Sequence, residues 1–294
     1  MIYLIGSIIL TSYLTLSFKV LEKFRIPVLQ SIVINHWICA VVGSVMIGYY
    51  PLASGATGQP WFKWALLMGF LFVTLFNLIA WIAQRIGVAV ASVANKMSLV
   101  IPFLFSLYLY NESVSALQII GIAIALMAVM LTCWPQKKEA VIDKKPVSPM
   151  LLFLMPAVLF AGSGLLDTSI KYVEQTFLNE GNKNDFLISS FSVAASLGTL
   201  LLIYLFSSGK QKFDRRSILA GIIIGIPNYF SIWCLVRVLS EYQGRSSAII
   251  PINNMGIVLF SSLAAFVLFK ERLSIINWAG IVLAIGAIAM IAFG

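Results

Sequence analysis

The chain has 294 residues, of which 60% are hydrophobic and only 11% are charged, and its mean hydropathy is +0.97. A soluble protein of this length cannot bury so much apolar surface, so the composition excludes an ordinary soluble domain. The formal net charge of +9 does not indicate a nucleic-acid partner, because the basic residues lie in loops between apolar runs, where they orient membrane helices.

Continuous apolar runs predict an all-α polytopic membrane protein. A bilayer core of about 30 Å needs roughly 20 apolar residues per helix, and these runs do not alternate as barrel strands do. The first run lacks the basic start and the cleavage pattern of a signal peptide, so we interpret it as a helix. The ten predicted spans are residues 2–18, 28–50, 62–84, 88–109, 114–134, 150–171, 185–207, 217–239, 246–269 and 274–293.

The second half of the chain repeats the first. Residues 91–130 match residues 250–289 at a constant offset of 159, and each copy reads as an apolar helix, a charged turn and a second apolar helix. The offset pairs Asn95 with Asn254, Glu112 with Glu271 and Gly121 with Gly280. A Trp-x-x-x-Arg spacing also recurs, at Trp81/Arg85 and at Trp233/Arg237. The duplication therefore extends beyond the best-matched stretch.

A polar, basic linker at residues 135–149 divides the chain into two units of five spans each, residues 1–134 and 150–294. An odd number of spans per unit forces the two copies into opposite orientations, which is the inverted-repeat arrangement of many secondary transporters. The loops that follow the odd-numbered spans carry most of the Lys and Arg residues. The positive-inside rule places those loops in the cytoplasm, with both termini outside, in a cell inner (plasma) membrane.

This plan resembles the drug/metabolite transporter superfamily, in its EamA-type branch. The resemblance covers essentially the whole chain, and it rests on the ends of the fourth and ninth spans and on the glycine-marked helices that follow them. Those residues are Asn111-Glu112, Lys270-Glu271-Arg272, Gly121, Gly280 and Gly286. It implies a ten-helix transporter of small metabolites and leaves the substrate open. The branch usually has a small apolar residue in the middle of the fourth span, where this chain has Asn95-Lys96.

Lys96 is the most informative polar residue, because it lies deep in the fourth predicted span. A charge at mid-bilayer costs at least about 2.5–3.5 kcal/mol on insertion scales, and interior charges of this kind are usually functional. We expect Lys96 to face a wet cavity, a carboxylate or an anionic substrate group. A structural ion pair or a neutral amine is the alternative. Pro102, in the same span, can free an upstream carbonyl or add a packing kink.

Two titratable residues are candidates for proton or ion coupling. Asp167 is the only carboxylate placed well inside a predicted span, but Lys171 lies one turn later and an intrahelical pair between them is an equal alternative. His36 is the only histidine, and its ordinary pKa suits proton coupling. An interhelical hydrogen bond is the favoured interpretation of His36.

Further amides and aromatic side chains at comparable depth are predicted to line a substrate cavity with Lys96. They are Asn77, Trp81, Asn95, Asn228, Tyr229, Trp233, Asn253 and Asn254. A few orienting polar groups in an apolar cavity are typical of small-molecule sites. Each Asn can instead join neighbouring helices, and each Trp can pack against lipid.

The sequence carries no P-loop, metal-ligand spacing or nucleophile elbow, so we expect no enzyme activity, no cofactor and no metal. The favoured function is secondary transport of a small polar or amphipathic metabolite, such as an amino acid or another carboxylate or zwitterion, by alternating access through a central cavity. Coupling to protons is one option. The expected partners are that metabolite and the bilayer, and the chain acts as a monomer or homodimer. The alternatives are an intramembrane lipid-modifying enzyme, using Lys96, Asp167 and His36, and a non-transporting scaffold or receptor.

Overall fold

The computed structural model describes residues 1–86, 88–110, 115–132, 134, 148–242, 246–269 and 274–293, and within these ranges every regular element is a helix. Seven helices in this part are long and apolar enough to cross a membrane. They are Val28–Ile47, Phe62–Ile82, Met150–Phe177, Lys183–Ser207, Arg216–Glu241, Ala248–Leu268 and Ile275–Phe293. Shorter apolar helical segments are Ile2–Phe18, Val93–Tyr108 and Ala116–Thr132. The all-helical class predicted from the sequence is confirmed, and these apolar helices are consistent with the predicted membrane protein.

The helices follow the predicted spans closely. In chain order they are α1 (Ile2–Lys23), α2 (Val28–Ile47), α3 (Phe62–Arg85), α4 (Val88–Met97), α5 (Val100–Tyr110), α6 (Ala116–Thr132), α7 (Pro149–Phe177), α8 (Lys183–Ser207), α9 (Arg216–Glu241), α10 (Ser246–Phe269) and α11 (Ile275–Phe293). Every predicted span except the fourth corresponds to one helix. Short 3₁₀ turns at Pro51–Ser54 and Ala56–Gly58 precede α3.

The fourth predicted span, expected to be one continuous helix, is two helices, α4 and α5, separated by Ser98 and Leu99. Pro102 lacks the N–H that would bond the Ser98 carbonyl in an α-helix. Tighter bonds replace it, from Ile101 N to Ser98 O at 2.9 Å and from Leu99 N to Lys96 O at 3.3 Å. The Ser98 hydroxyl also donates to the Asn95 carbonyl. The break leaves Lys96 in the last turn of a short helix.

The described part of the chain forms two compact units. Unit 1 comprises Met1–Asn77 and Ser169–Glu241, and unit 2 comprises Leu78–Thr168 and Tyr242–Gly294. Each unit takes segments from both halves of the predicted duplication. The division of the sequence into repeats at 1–134 and 150–294 is a different partition, and it stays a prediction.

In unit 1, α9 packs along α1 and α2, and α2 packs against α8. Glycines on α9 allow a close approach to α2. A Cβ on Gly221 would lie 2.4 Å from Ile34 Cγ2, and one on Gly225 would lie 2.7 Å from Ile38 Cβ. Small residues commonly let membrane helices approach this closely, because dispersion contacts rather than hydrophobic burial hold such helices together. The α2–α9 pair is therefore a tight interface without room for larger side chains at these positions.

In unit 2, α6 packs against α11, and α10 packs against α5, α6 and α11. The core at these interfaces consists of apolar side chains that are almost completely buried. They are Leu99, Phe103, Ile122, Ala125, Ala128, Val129, Met255, Val258, Ala284, Ala287 and Ile291. The core reaches Leu99 at the α4–α5 break, so the backbone there is fixed by packing on one side.

Contacts within unit 2 recur at the offset found in the sequence. The Gln118 amide donates to the Ile291 carbonyl at 3.4 Å, and the Asn277 amide donates to the Thr132 carbonyl at 2.9 Å. Gln118 and Asn277 are 159 residues apart, as are Thr132 and Ile291. The two bonds are therefore equivalent under the predicted duplication, with each helix of the α6–α11 pair bonding to the end of the other.

The starts of α6 and α11 repeat each other in the same way. Ser115 N donates to Gln118 Oε1, and Gln118 N donates to Ser115 Oγ. Ser274 and Asn277, 159 residues later, exchange the same two bonds. Each pair is a capping box, which satisfies backbone donors that a helix N-terminus leaves unpaired.

Several sequence predictions fall on residues outside the described ranges. These are the charged turns at 111–114 and 270–273, which include Glu112 and Glu271, most of the linker at 135–147, and Cys133. Cys39 and Cys234 are described, and both are free and buried, as expected for small apolar fillers.

Candidate functional site

Three polar side chains of unit 2 meet beside the break between α4 and α5. The Lys96 ammonium donates a hydrogen bond to Asn254 Oδ1 at 3.2 Å. The amide nitrogen of Asn254 donates in turn to Asp167 Oδ2, also at 3.2 Å. We call Lys96, Asn254 and Asp167 the polar triad. It joins α4, α10 and α7.

Local packing brings these helices together. Gly164 on α7 lies against α5, and a Cβ there would lie 2.3 Å from Ile101 Cδ1, so only glycine fits without displacement. Asp167 follows Gly164 by about one turn and is thereby held near the α4–α5 break. On α10, Asn254 precedes Met255, which is fully buried in the unit 2 core. The core packing thus fixes the amide between α4 and α7.

The triad places opposite charges on the two sides of one amide. Lys96 acts electrostatically on the Asp167 carboxylate, and Asn254 bonds that carboxylate directly. Lysine can only donate hydrogen bonds and an ionised carboxylate can only accept them. The Asn254 oxygen must therefore face Lys96 and its NH₂ must face Asp167. Both charged side chains are half-buried.

Other predicted lining residues of unit 2 lie near the triad in sequence. Asn95 is half-buried, and its backbone carbonyl accepts from Ser98. Asn253 is only 5% exposed, and its Oδ1 has no hydrogen-bond partner among the described residues. Trp81, on α3, is half-buried.

Asn228 and Tyr229 lie in unit 1, within the α2–α9 interface. The Asn228 amide donates to Asn35 Oδ1 at 3.1 Å, and Asn228 is only 1% exposed. Tyr229 is fully buried, and its hydroxyl has no hydrogen-bond partner in the described part of the chain. This geometry matches the alternative in which an Asn joins neighbouring helices. Asn77, in contrast, bonds its own helix, donating to the Val73 carbonyl at 2.6 Å.

His36 is packed among phenylalanine rings of unit 1 and is completely buried. Its ring centroid lies 5.7 Å from Phe76, 6.2 Å from Phe191 and 6.3 Å from Phe72. Neither ring nitrogen has a hydrogen-bond partner among the described residues. The interhelical hydrogen bond favoured from the sequence is thus replaced, within the described chain, by aromatic packing.

Trp233 lies in the second half of α9 and combines polar and aromatic contacts. Its indole N–H donates to Asn184 Oδ1 at 3.2 Å. The Tyr3 ring meets it edge-on at 5.6 Å, and the Arg237 guanidinium lies 5.2 Å from its ring centroid. These three contacts hold the Trp233 ring in one orientation, so the ring has little freedom to reorient around a ligand.

A second buried carboxylate was not predicted, because it lies beyond residue 171, the predicted end of the sixth span. Helix α7 continues to Phe177 and carries Glu174, which is only 2% exposed. Glu174 Oε1 accepts from the Ser240 hydroxyl at 2.8 Å, and the Lys183 ammonium also donates to that hydroxyl. Asp167, Lys171 and Glu174 are spaced at i, i+4 and i+7, which places them on one helix face. This spacing could have indicated that the helix continues past residue 171.

An exposed carboxylate completes this second group. Glu180 accepts from Lys183 at 2.7 Å and from Arg237, and the bond from Lys183 is the main cause that lowers the pKa of Glu180.

Among the described residues, no three His, Cys, Asp or Glu side chains are placed to hold a metal ion.

Comparison with known proteins finds one uncharacterised relative and a solved structure with a similar fold. No protein-family model matches the chain. An uncharacterised protein of Haemophilus influenzae is 24% identical over an alignment of 295 positions, gaps included, that covers 97% of this chain and 95% of that protein. A protein crystal structure has a TM-score of 0.76 and 15% sequence identity to this chain, and the alignment covers 99% of this chain and 96% of the other. At this identity the likeness shows a shared fold alone.

Proposed function

We propose that the chain is a secondary transporter of a small metabolite that carries both a carboxylate and an amine, such as an amino acid. The polar triad is the observation that carries the proposal. A cation, an amide and an anion on three membrane helices are costly to bury, and such groups are typically retained where they bind a solute or an ion.

The α4–α5 break supports a binding role for the triad. Transporter sites are commonly built at discontinuous membrane helices, whose free ends present backbone groups to the solute. Here α4 ends one residue after Lys96. The carbonyls at that helix end carry partial negative charge, which favours the ammonium at this position.

The repeated contacts of α6 and α11 support the wider architecture. Equivalent bonds at an offset of 159 are the contacts expected of duplicated helix pairs. We propose ten spans in two inverted five-helix repeats, as the resemblance to EamA-type transporters implies, in the cell inner membrane and with the basic loops in the cytoplasm. Seven long apolar helices and three shorter apolar segments supply that number.

The triad also favours a substrate class. A substrate carboxylate suits Lys96, because charge-assisted hydrogen bonds are about twice as strong as neutral ones. A substrate amine suits Asp167, and the Asn254 amide can serve either group. A zwitterion satisfies both charges at once, so that neither is left unpaired when the Lys96–Asn254–Asp167 contacts open.

Counterflow in proteoliposomes tests the function, with a mixture of radiolabelled amino acids as the probe. Vesicles loaded with unlabelled amino acids should accumulate label faster than empty vesicles, because only a carrier accelerates exchange. Lys96→Met should abolish this acceleration. Lys63→Met is the matched control, since Lys63 lies at the start of α3, 5.9 Å from the Trp64 ring centroid and outside the triad. It should exchange at the wild-type rate.

Two results would overturn the proposal. An enzyme acting on lipid or a non-transporting scaffold would give no counterflow with the wild-type protein. Normal exchange by Lys96→Met, with unchanged apparent affinity, would remove the triad from the mechanism. Retained folding of that variant is checked by its elution as a single species in detergent.

A further inference from the structure

We propose that Glu174 is the site that binds the coupling proton of this transporter. The inference rests on the proposed transport function and assigns its driving ion to a residue outside the polar triad. It is carried by the geometry of Glu174, Ser240 and Lys183 in unit 1.

The two oxygens of Glu174 have different surroundings. Oε1 accepts from the Ser240 hydroxyl at 2.8 Å. Oε2 is buried and has no hydrogen-bond partner among the described residues, although the side chain is 98% withdrawn from solvent. An ionised carboxylate has about four acceptor positions, so burying one with an unused oxygen is costly. Protonation at Oε1, the oxygen beside Ser240, lowers that cost, because a neutral acid is less costly to bury than a carboxylate.

Ser240 can follow the protonation of Glu174 without moving. Its hydroxyl carries one hydrogen and has two acceptors within reach, Glu174 Oε1 at 2.8 Å and the Val236 carbonyl at 3.0 Å. When Glu174 is ionised, the hydrogen points to its carboxylate. When Glu174 is protonated, the acid can donate to Ser240 Oγ, and the hydroxyl hydrogen turns to Val236. Both states are fully hydrogen-bonded at Ser240.

The charged groups around Glu174 connect it to water. Lys183, 6% exposed at the start of α8, donates both to Ser240 and to Glu180. The Glu180 side chain is 68% exposed and also accepts from Arg237 of α9. Lys171, on the same helix as Glu174, is the remaining charge that acts on it. The chain of contacts runs from the buried acid through Ser240 and Lys183 to an exposed carboxylate.

The proposed step is a simple protonation. A proton from bulk water adds to the Glu174 carboxylate and forms one O–H bond, and no other bond or electron is involved. The group then changes from charge −1 to neutral among Lys171, Lys183 and Glu180. That change weakens the electrostatic attraction between α7 and α8. Proton binding therefore favours conformations in which these two helices are less tightly held together.

Infrared difference spectroscopy tests the site without any transport assay. Lowering the pH of the purified wild-type protein should produce the carbonyl band of a protonated buried carboxyl, and Glu174→Gln should lack it. Glu241→Gln is the control, because Glu241 is a carboxylate near Ser240 that pairs with the N-terminus at 3.8 Å. It should retain the band. An identical set of bands in wild type and Glu174→Gln would overturn the assignment.

Ser240→Ala keeps the test decisive where Glu174→Gln does not fold. Loss of the hydroxyl removes the partner of the protonated acid, so the band should shift in frequency. A band unmoved by Ser240→Ala would also overturn the proposal.

A transport measurement then separates proton coupling from substrate transport itself. In vesicles that exchange the amino-acid mixture, an imposed pH gradient should increase uptake by the wild-type protein, and this stimulation should be lost in Glu174→Gln. Stimulation that survives in Glu174→Gln would overturn the coupling role. Absence of counterflow in the wild type would instead overturn the proposed function, while the infrared result still decides whether Glu174 binds the proton.

Discussion

The ammonium of Lys96 lies 3.2 Å from Asn254 Oδ1, and the two residues come from different copies of the predicted duplication. Asn254 corresponds to Asn95, the neighbour of Lys96, whereas the counterpart of Lys96 is the fully buried Met255. The site thus forms where the copies differ. One copy supplies the charge and the other supplies the amide that bonds it, so the matched asparagines have different surroundings.

The first prediction concerns this amide. Asn254→Leu removes hydrogen bonds to both Lys96 and Asp167, and bonds to charged groups contribute about 1.5–3 kcal/mol each. It should lower the melting temperature in detergent and abolish counterflow. Asn253→Leu is the matched control for stability, because Asn253 Oδ1 has no hydrogen-bond partner among the described residues. An equal loss of stability in the two variants would contradict the bridging role of Asn254.

The second prediction is a double-mutant cycle between Lys96 and Asp167. Lys96→Met leaves the carboxylate without its compensating charge, so it should lower thermal stability. Adding Asp167→Asn should restore much of that loss. The coupling energy should fall in the range of about 0.5–3 kcal/mol that contacting residues show. Additive single effects, measured by denaturation, would mean that the bridge through Asn254 does not couple the two charges.

The sequence predicted most of the helices, because continuous apolar runs report directly on membrane spans. It did not predict the break in the fourth span. Pro102 was recognised as a source of a free carbonyl, but a single proline is compatible with a kinked continuous helix. The tertiary packing of Leu99 and Gly164 decides between these two outcomes.

The candidate site was predicted in part. Depth in a span identified Lys96, and the repeat offset identified Asn254. The pairing of Lys96 and Asp167 through one amide depends on helix packing, and hydropathy carries no information about which helices pack together. Glu174 was missed because its helix extends six residues past the predicted end at 171. Composition cannot locate that end, since polar residues that are satisfied by neighbouring helices look the same in sequence as polar residues at a membrane surface.

The third prediction concerns the glycines of the α6–α11 pair. A Cβ on Gly280 would lie 2.4 Å from the backbone nitrogen of Thr132, which cannot move aside, whereas one on Gly121 would lie 2.9 Å from a side-chain atom of Ile291. Gly280→Ala should therefore destabilise the protein by about 1–3 kcal/mol, the usual cost of overpacking. Gly121→Ala should cost less.

Gly286 provides the control on the same helix, α11, because nothing lies within 4 Å of the Cβ position there. Alanine has the higher helix propensity, by about 1 kcal/mol, so Gly286→Ala should be neutral or stabilising. Melting temperatures of the three variants give the ranking. Equal behaviour of Gly280→Ala and Gly286→Ala would show that α6 and α11 do not approach as closely as described.

The fourth prediction concerns pH and the exposed carboxylate of Glu180. Hydrogen bonding from Lys183 lowers the pKa of Glu180 below its ordinary value of 4.5, and the Arg237 charge lowers it further. A lowered carboxyl pKa stabilises the fold at every pH above the ordinary value, and the contribution is lost as the pH falls through the folded-state pKa. Glu180→Gln should therefore melt below the wild type at neutral pH. Because the Glu180 side chain is 68% exposed, the difference should stay below about 1 kcal/mol and shrink at high salt. Melting curves recorded from neutral pH to below 4.5 should converge at the acidic end, and a difference that persisted there would assign the effect to packing instead of charge.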